Sequence, residues 1–177
     1  MLTALQLIKE ELKASREVFE GTAADILVKH LHKDPGGKAF PLAATYAHLI
    51  FSEDAIVHGM LQGKKSLSET TWKNKTGVDS VMPAMDDNYA KANEKWSKTV
   101  KMDLPKFRKY ANAVHKATDA YVKKLKNSDL EKEVDLGSWG KRKVVFLLYE
   151  YIIGHTYSLA GELSVLKGIQ GVKGYPF

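Results

Sequence analysis

From Lys141 to Ile169 one stretch, KRKVVFLLYEYIIGHTYSLAGELSVLKGI, sets Val145, Leu148, Ile152, His155, Leu159, Glu162, Leu166 and Ile169 at alternating gaps of three and four. That spacing is the stripe that a helix packed among other helices turns inward. Two polar residues, His155 and Glu162, therefore fall on an otherwise apolar seam. An inward polar side chain must find partners or cost roughly 1–3 kcal/mol. His155 is accordingly the first functional candidate, either as a core histidine held by one hydrogen bond or as a ligand with matching partners elsewhere. The early half, Val144 to Ile153, is apolar nearly all round, which predicts a helix covered on several sides.

Three further long helices can be read by the same rhythm. Leu5, Ile8 and Leu12 face one way from a first helix, Thr3 to Phe19, with Thr3 as N-cap and Gly21 as its stop. Thr22 then caps a short helical piece carrying Ile26, Leu27 and Leu31, and Asp34-Pro35-Gly36-Gly37 is a turn. His30, His32 and Asp34 beside it read as a solvated loop or a loose metal grip. A second helix starts at Pro41 and runs to Leu61, with Leu42, Tyr46, Leu49, Ile50, Ile56, Val57 and Met60 on its apolar face. His48 stands in an adjoining row with Ala44, Phe51 and Ala55, where small neighbours leave room beside it. His58 is about 15 Å farther along the axis and cannot share a ligand with His48.

Residues Gly63 to Asp103 are the least regular part. A helix from Ala84 to Val100, turning Met85, Tyr89, Ala92 and Trp96 inward, is expected there, either as a wall or lid of a pocket or as a cover for the bundle end. A third long helix, capped by Asp103, carries Leu104, Phe107, Ala111, Val114, Thr118, Tyr121 and Leu125, with His115 on its flank. Asn127 to Gly140 reads as a loop with Val134 and Leu136 as its apolar pair. The late helix follows, and Gly168, Gly171, Gly174 and Pro176 end the chain. With no strand alternation, the expectation is an all-α single domain spanning residues 1–177. It is a four-helix bundle with an irregular, short-helical insert between the second and third long helices.

Composition narrows the chemistry. There is no cysteine, which excludes disulfides, thiolate metal sites and a protein-borne sulfur nucleophile, so metal ligands must be histidine, carboxylate, tyrosine or water. Neither a secretory signal nor a membrane span is evident, and the cytoplasm is the expected compartment. The 27 Lys and Arg against 21 Asp and Glu leave a net charge of +6. This charge is scattered along the chain, with its one dense cluster at Lys141, Arg142 and Lys143. No aromatic-and-arginine platform accompanies it, so solvated surface is favoured over a nucleic-acid groove.

Three stretches carry a family resemblance: AHLIFSED around His48, GHTYSLAGELSVLKG around His155, and the closing GIQGVKGYPF. Together with the order of helices, insert and glycine-rich tail, the chain resembles the DinB-like (YfiT-type) metal-binding four-helix bundles of bacteria. The resemblance implies one divalent ion, nickel or zinc, held by one histidine of the second helix and two, four residues apart, of the last. His48 and His155 match two of these positions, and the third falls on Leu159, which has no lone pair. An incomplete site binding metal weakly or not at all is therefore expected, with Leu159 and Glu162 lining it. Tyr46 or a carboxylate from another helix could fill the vacancy, and Glu162 reads either as an acid or base or as a lysine-paired residue.

The resemblance leaves two classes of function open. One is a metal-dependent S-transferase or isomerase using a low-molecular-weight thiol, or a metal-dependent hydrolase. The other is a non-enzymatic small-molecule-binding or stress-response module. Homodimers are expected from the family in either case.

Overall fold

Two of the long helices begin on a side chain that satisfies one of their orphan amide groups. In the computed structural model, which describes residues 1–84, 86, 88–137 and 140–177, Thr3 caps α1, Ala4–Ala23. Its hydroxyl accepts from the Gln6 amide and the Gln6 side chain accepts from the Thr3 amide. After the short α2, Val28–Leu31, Pro41 leads into α3, Leu42–Asp54, which continues directly into a π-helical turn, Ala55–Met60. The insert carries α4, Tyr89–Thr99. Asp103 caps α5, Leu104–Lys124, with Pro105 in its first turn.

The last long element is composite: α6, Val144–Leu148, a second π turn, Tyr149–Gly154, and α7, His155–Ile169. α7 lies against α1 and α3, α3 lies against α5, and α4 covers one flank of α3. The result is the expected all-α bundle. No helix among the described residues is long and apolar enough to cross a membrane.

The core forms two apolar clusters. One holds Phe19, Tyr46, Phe51, Trp96, Phe107, Tyr110, Leu159 and Leu163; the other holds Leu5, Ile8, Leu12, Ile56, Val57, Val122, Leu148 and Ile152. Along the chain, Ser15 and Arg16, Glu53 and Asp54, Thr118, and His155 and Thr156 fall between members of the two clusters. The bundle therefore has a polar layer across its middle, and its polar groups need partners there.

Several boundaries differ from the sequence reading. α1 runs past Gly21 to Ala23. Gly21 is small because the tail crosses it: a Cβ there would meet Pro176 Cγ at 3.0 Å. Thr22 lies inside the helix, its hydroxyl donating to the Val18 carbonyl. α4 begins only at Tyr89, and Met85, expected on its inner face, lies outside the described residues. The expected loop after α5 holds a 3-10 turn, Asn127–Glu131, and a small antiparallel hairpin of β1, Glu133–Asp135, and β2, Lys141–Lys143. Its register sets Lys143 opposite Glu133 and Lys141 opposite Asp135. The densest basic run thus faces acids across a strand pair.

Candidate functional site: a pocket floored by two imidazoles

The helices that carry His48 and His155 each contain a π turn. Such a turn inserts an extra residue into a helix and is found often at functional sites. The carbonyls it loosens find side-chain donors: Gln62 Nε2 donates to Val57 O and the Thr156 hydroxyl to Ile152 O. Gly154 closes the second π turn against His155, and a Cβ there would lie 3.3 Å from the Tyr149 carbonyl. Small size at this position therefore helps set the backbone that carries His155.

Between the two π turns lies a cavity of about 550 Å³. His48, Ser52, Ala55 and Ile56 line it from one helix, Gly154, His155 and Ser158 from the other, with Tyr89, Tyr151 and Glu150 at its walls. The rings of His48 and His155 meet edge to face with centroids 5.1 Å apart. Two imidazoles sharing one tetrahedral ion would have centroids about 5 Å apart. The insert reaches the same place: Met82 Sδ is 3.2 Å and the Tyr89 hydroxyl 3.5 Å from His48 Nδ1.

Burial holds both imidazoles neutral. It lowers His48 below the usual histidine value, and burial together with the neighbouring His48 ring brings His155 down to about 4. At neutral pH each ring offers one lone pair and one N–H.

The other sequence candidates lie elsewhere. Leu159 is 6% exposed and belongs to the apolar core. Glu162 is exposed and lines a different cavity with Lys38, Phe40 and Val165, which corrects its placement on the inward seam beside the histidines. The buried face of α7 is Thr156, Leu159, Ala160, Leu163, Leu166 and Lys167, so His155 and Glu162 share one edge. The His155 ring packs against His48 of the facing helix, whereas Glu162, two turns on, is exposed. Ile169, the seam's last member, is 59% exposed.

Near the turn, His32 Nε2 accepts from the Met102 amide and Asp34 accepts from the Gly36 amide, which are structural tasks. Tyr46 donates to Glu20 in the polar layer and is not among the residues lining the histidine pocket. Among the described residues, no group of three or more His, Cys, Asp or Glu comes together as a metal site.

A second polar cluster escaped the sequence reading. Glu53, 2% exposed, accepts from Arg16 at 2.6 Å and from the Thr118 hydroxyl at 2.6 Å. His115 bridges Glu53 and Glu20, at 3.3 Å from each. Burial alone would raise Glu53, but the His115 hydrogen bond and charge, Arg16 and Thr118 outweigh it and hold the carboxyl at about 2. Burial likewise opposes charge on His115, yet its bonds to the two carboxylates bring it to about 9. Asp54, next in sequence, points elsewhere: Tyr110 donates to it at 2.6 Å and the Leu67 and Ser68 amides at 2.9 and 3.0 Å. His58 pairs with the same carboxylate at 2.8 Å. Among the described residues, Arg16 Nε and Glu53 Oε2 make no hydrogen bond of their own, the latter lying 3.3 Å from His115 Nδ1; the other pairings make the cluster a structural clasp across α1, α3 and α5.

Comparison with known proteins gives the family. A crystal structure described as that of a conserved protein of a locus from Enterococcus faecalis shares the fold, with a TM-score of 0.75 at 18% identity over 96% of this chain and 98% of that one. A comparison with curated proteins found no match. The family model of the DinB superfamily matches residues 11–157, and the chain belongs to that superfamily.

Proposed function

We propose that the working site is the pocket floored by His48 and His155, and that it binds a small, uncharged, apolar molecule rather than running metal-dependent chemistry on a firmly held ion. The observation that carries this reading is the donor set. Two imidazoles converge, but the third position of the implied three-histidine site is Leu159, buried in the core. Two neutral imidazoles and solvent make a weak, exchangeable site for nickel or zinc, so the residues do not fit a resident divalent cofactor.

The pocket itself fits an organic ligand. Its volume of about 550 Å³ falls in the range of about 300–1,000 Å³ usual for small-molecule sites. Its described lining holds no Lys or Arg, and both histidines are neutral, so a thiol carrying several carboxylates would lose its hydration there without meeting a cation. An uncharged ligand can instead set its apolar body against Ala55, Ile56 and Tyr151 and exchange one hydrogen bond with an imidazole. This supports the non-enzymatic, small-molecule-binding alternative over a thiol transferase or hydrolase.

The test is thermal stabilisation of the full chain by 1-hexanol and by hexanoate, in the native sequence and in Ser158→Trp, which places a ring over the pocket mouth. Hexanol should raise the melting temperature of the native chain and not of the variant, while hexanoate should do neither. Equal stabilisation by hexanoate, or hexanol binding that survives Ser158→Trp, would overturn the reading.

A further inference from the structure

We propose that the groove beside the last turns of α7 is a second binding site, for a linear zwitterion with an ammonium at one end, a carboxylate at the other and an apolar chain between them. This goes beyond the histidine-pocket reading, and the two sites share no described lining residue. The groove has a volume of about 500 Å³, within the range of about 300–1,000 Å³ usual for small-molecule sites. Lys38, Phe40 and Thr45 line one side of it, and Glu162, Val165, Leu166 and Ile169 line the other.

The apolar wall follows from spacing along α7. Val165, Leu166 and Ile169 stand three, four and seven residues after Glu162, which sets all four on one face of the helix. Leu166 is buried in the core, but Val165 is 63% and Ile169 59% exposed. This face therefore keeps apolar surface that the chain of a ligand would cover. Phe40 packs against the core from the facing segment, so the opposite wall is held as well.

Helix direction sets the two charges at opposite ends. Tyr46 reaches Glu20 and Glu53 is reached by Arg16, so α3 runs against α1. Tyr157 reaches Glu11 and Lys167 reaches Thr22, so α7 runs with α1 and antiparallel to α3. Lys38, which precedes α3, accordingly lies toward Ile169, and seven residues of helix put Ile169 about 10 Å along the axis from Glu162. Neither Glu162 nor Lys38 forms a salt bridge among the described residues. Glu94, which feels the Lys38 charge, is itself paired with Lys98 at 2.7 Å. Partial burial raises the Glu162 carboxyl above its ordinary value. A ligand ammonium supplies the cation that this carboxylate lacks, and a ligand carboxylate supplies the partner of Lys38.

The experiment is an amide chemical-shift titration of the full, isotope-labelled chain with ω-aminooctanoate, octylamine and octanoate, in the native sequence, Glu162→Gln, Lys38→Gln and Ser158→Trp. Glu162 and Lys38 are exposed, so their variants keep the fold. In the native chain ω-aminooctanoate should shift the Phe40, Val165 and Ile169 amides saturably and bind about fivefold more tightly than either singly charged chain. Its advantage over octanoate should vanish in Glu162→Gln, and its advantage over octylamine in Lys38→Gln. Ser158→Trp should change neither. No saturable shift at those amides, equal affinity for the three probes in the native chain, an advantage that survives the matching substitution, or binding lost in Ser158→Trp would each overturn the proposal. The hexanol experiment reads the other site, so its failure and this one's can be told apart.

Discussion

Titrating His115 should destabilise the protein from the alkaline side, by an amount the clasp around Glu53 sets. In the folded chain the imidazole is held at about 9 against an ordinary 6.5, a difference worth on the order of 3 kcal/mol. Because the folded value lies above the unfolded one, this stabilisation is fully present below pH 6.5 and is lost as pH rises through 9. His155 has the opposite sign. Its folded value of about 4 means that the unfolded chain takes up the proton first, so stability falls as pH drops from 6.5 toward 4. Glu53, held at about 2, adds to the acid loss below its ordinary value near 4.5. Stability by urea unfolding at constant ionic strength should therefore peak near pH 6.5 and decline to either side. His115→Leu should abolish most of the alkaline decline and lower stability at pH 6.5, because Glu20 and Glu53 lose their bridging cation. A native stability that is flat between pH 6.5 and 9, or an alkaline decline that persists in His115→Leu, would refute the clasp.

Two further changes probe how the frame is closed. Lys167 is 2% exposed and its ammonium donates to the Thr22 and Gly174 carbonyls and to Asp25. Lys167→Met keeps the length but removes those donors; it should cost on the order of 3 kcal/mol in urea unfolding and expose the residues after Gly171 to limited proteolysis, and an unchanged digestion pattern would contradict that role. Gly77 has φ +90°, and a Cβ there would lie 2.4 Å from the Phe107 amide nitrogen, so Gly77→Ala should lower stability by on the order of 3 kcal/mol; a melting temperature equal to that of the native chain would show that the insert is not clamped against α5.

The four helices were legible because their apolar residues recur at gaps a helix imposes, and because Thr3 and Asp103 carry cap chemistry in the sequence itself. His48 and His155 were singled out through the family motifs, and the fold sets their rings edge to face. Other features depend on the assembled fold. A strict alternation of three and four drifts around a helix of 3.6 residues per turn, so the seam drawn from Leu148 through Glu162 to Ile169 left the buried face before its end. The π turns leave no mark in residue propensity. Gly21 reads as a helix stop until the tail is seen crossing it. Met82 comes from a segment with no periodicity, and nothing local to it announces a neighbour thirty-four residues earlier. His115 was placed on a flank because Val114 beside it holds the seam; only the bundle shows Glu20 and Glu53 on its two sides.

A histidine at position 159 should reach an ion shared by His48 and His155, because Leu159 follows His155 by one turn of α7. Zinc loading of the metal-free chain, followed by desalting and elemental analysis, compares the native sequence with Leu159→His most directly. The native chain should retain far less than one zinc per chain, and Leu159→His should retain close to one and lose it again in Leu159→His combined with His48→Ala. Stoichiometric zinc in the native chain, or no gain in Leu159→His while circular dichroism shows it folded, would contradict the claim.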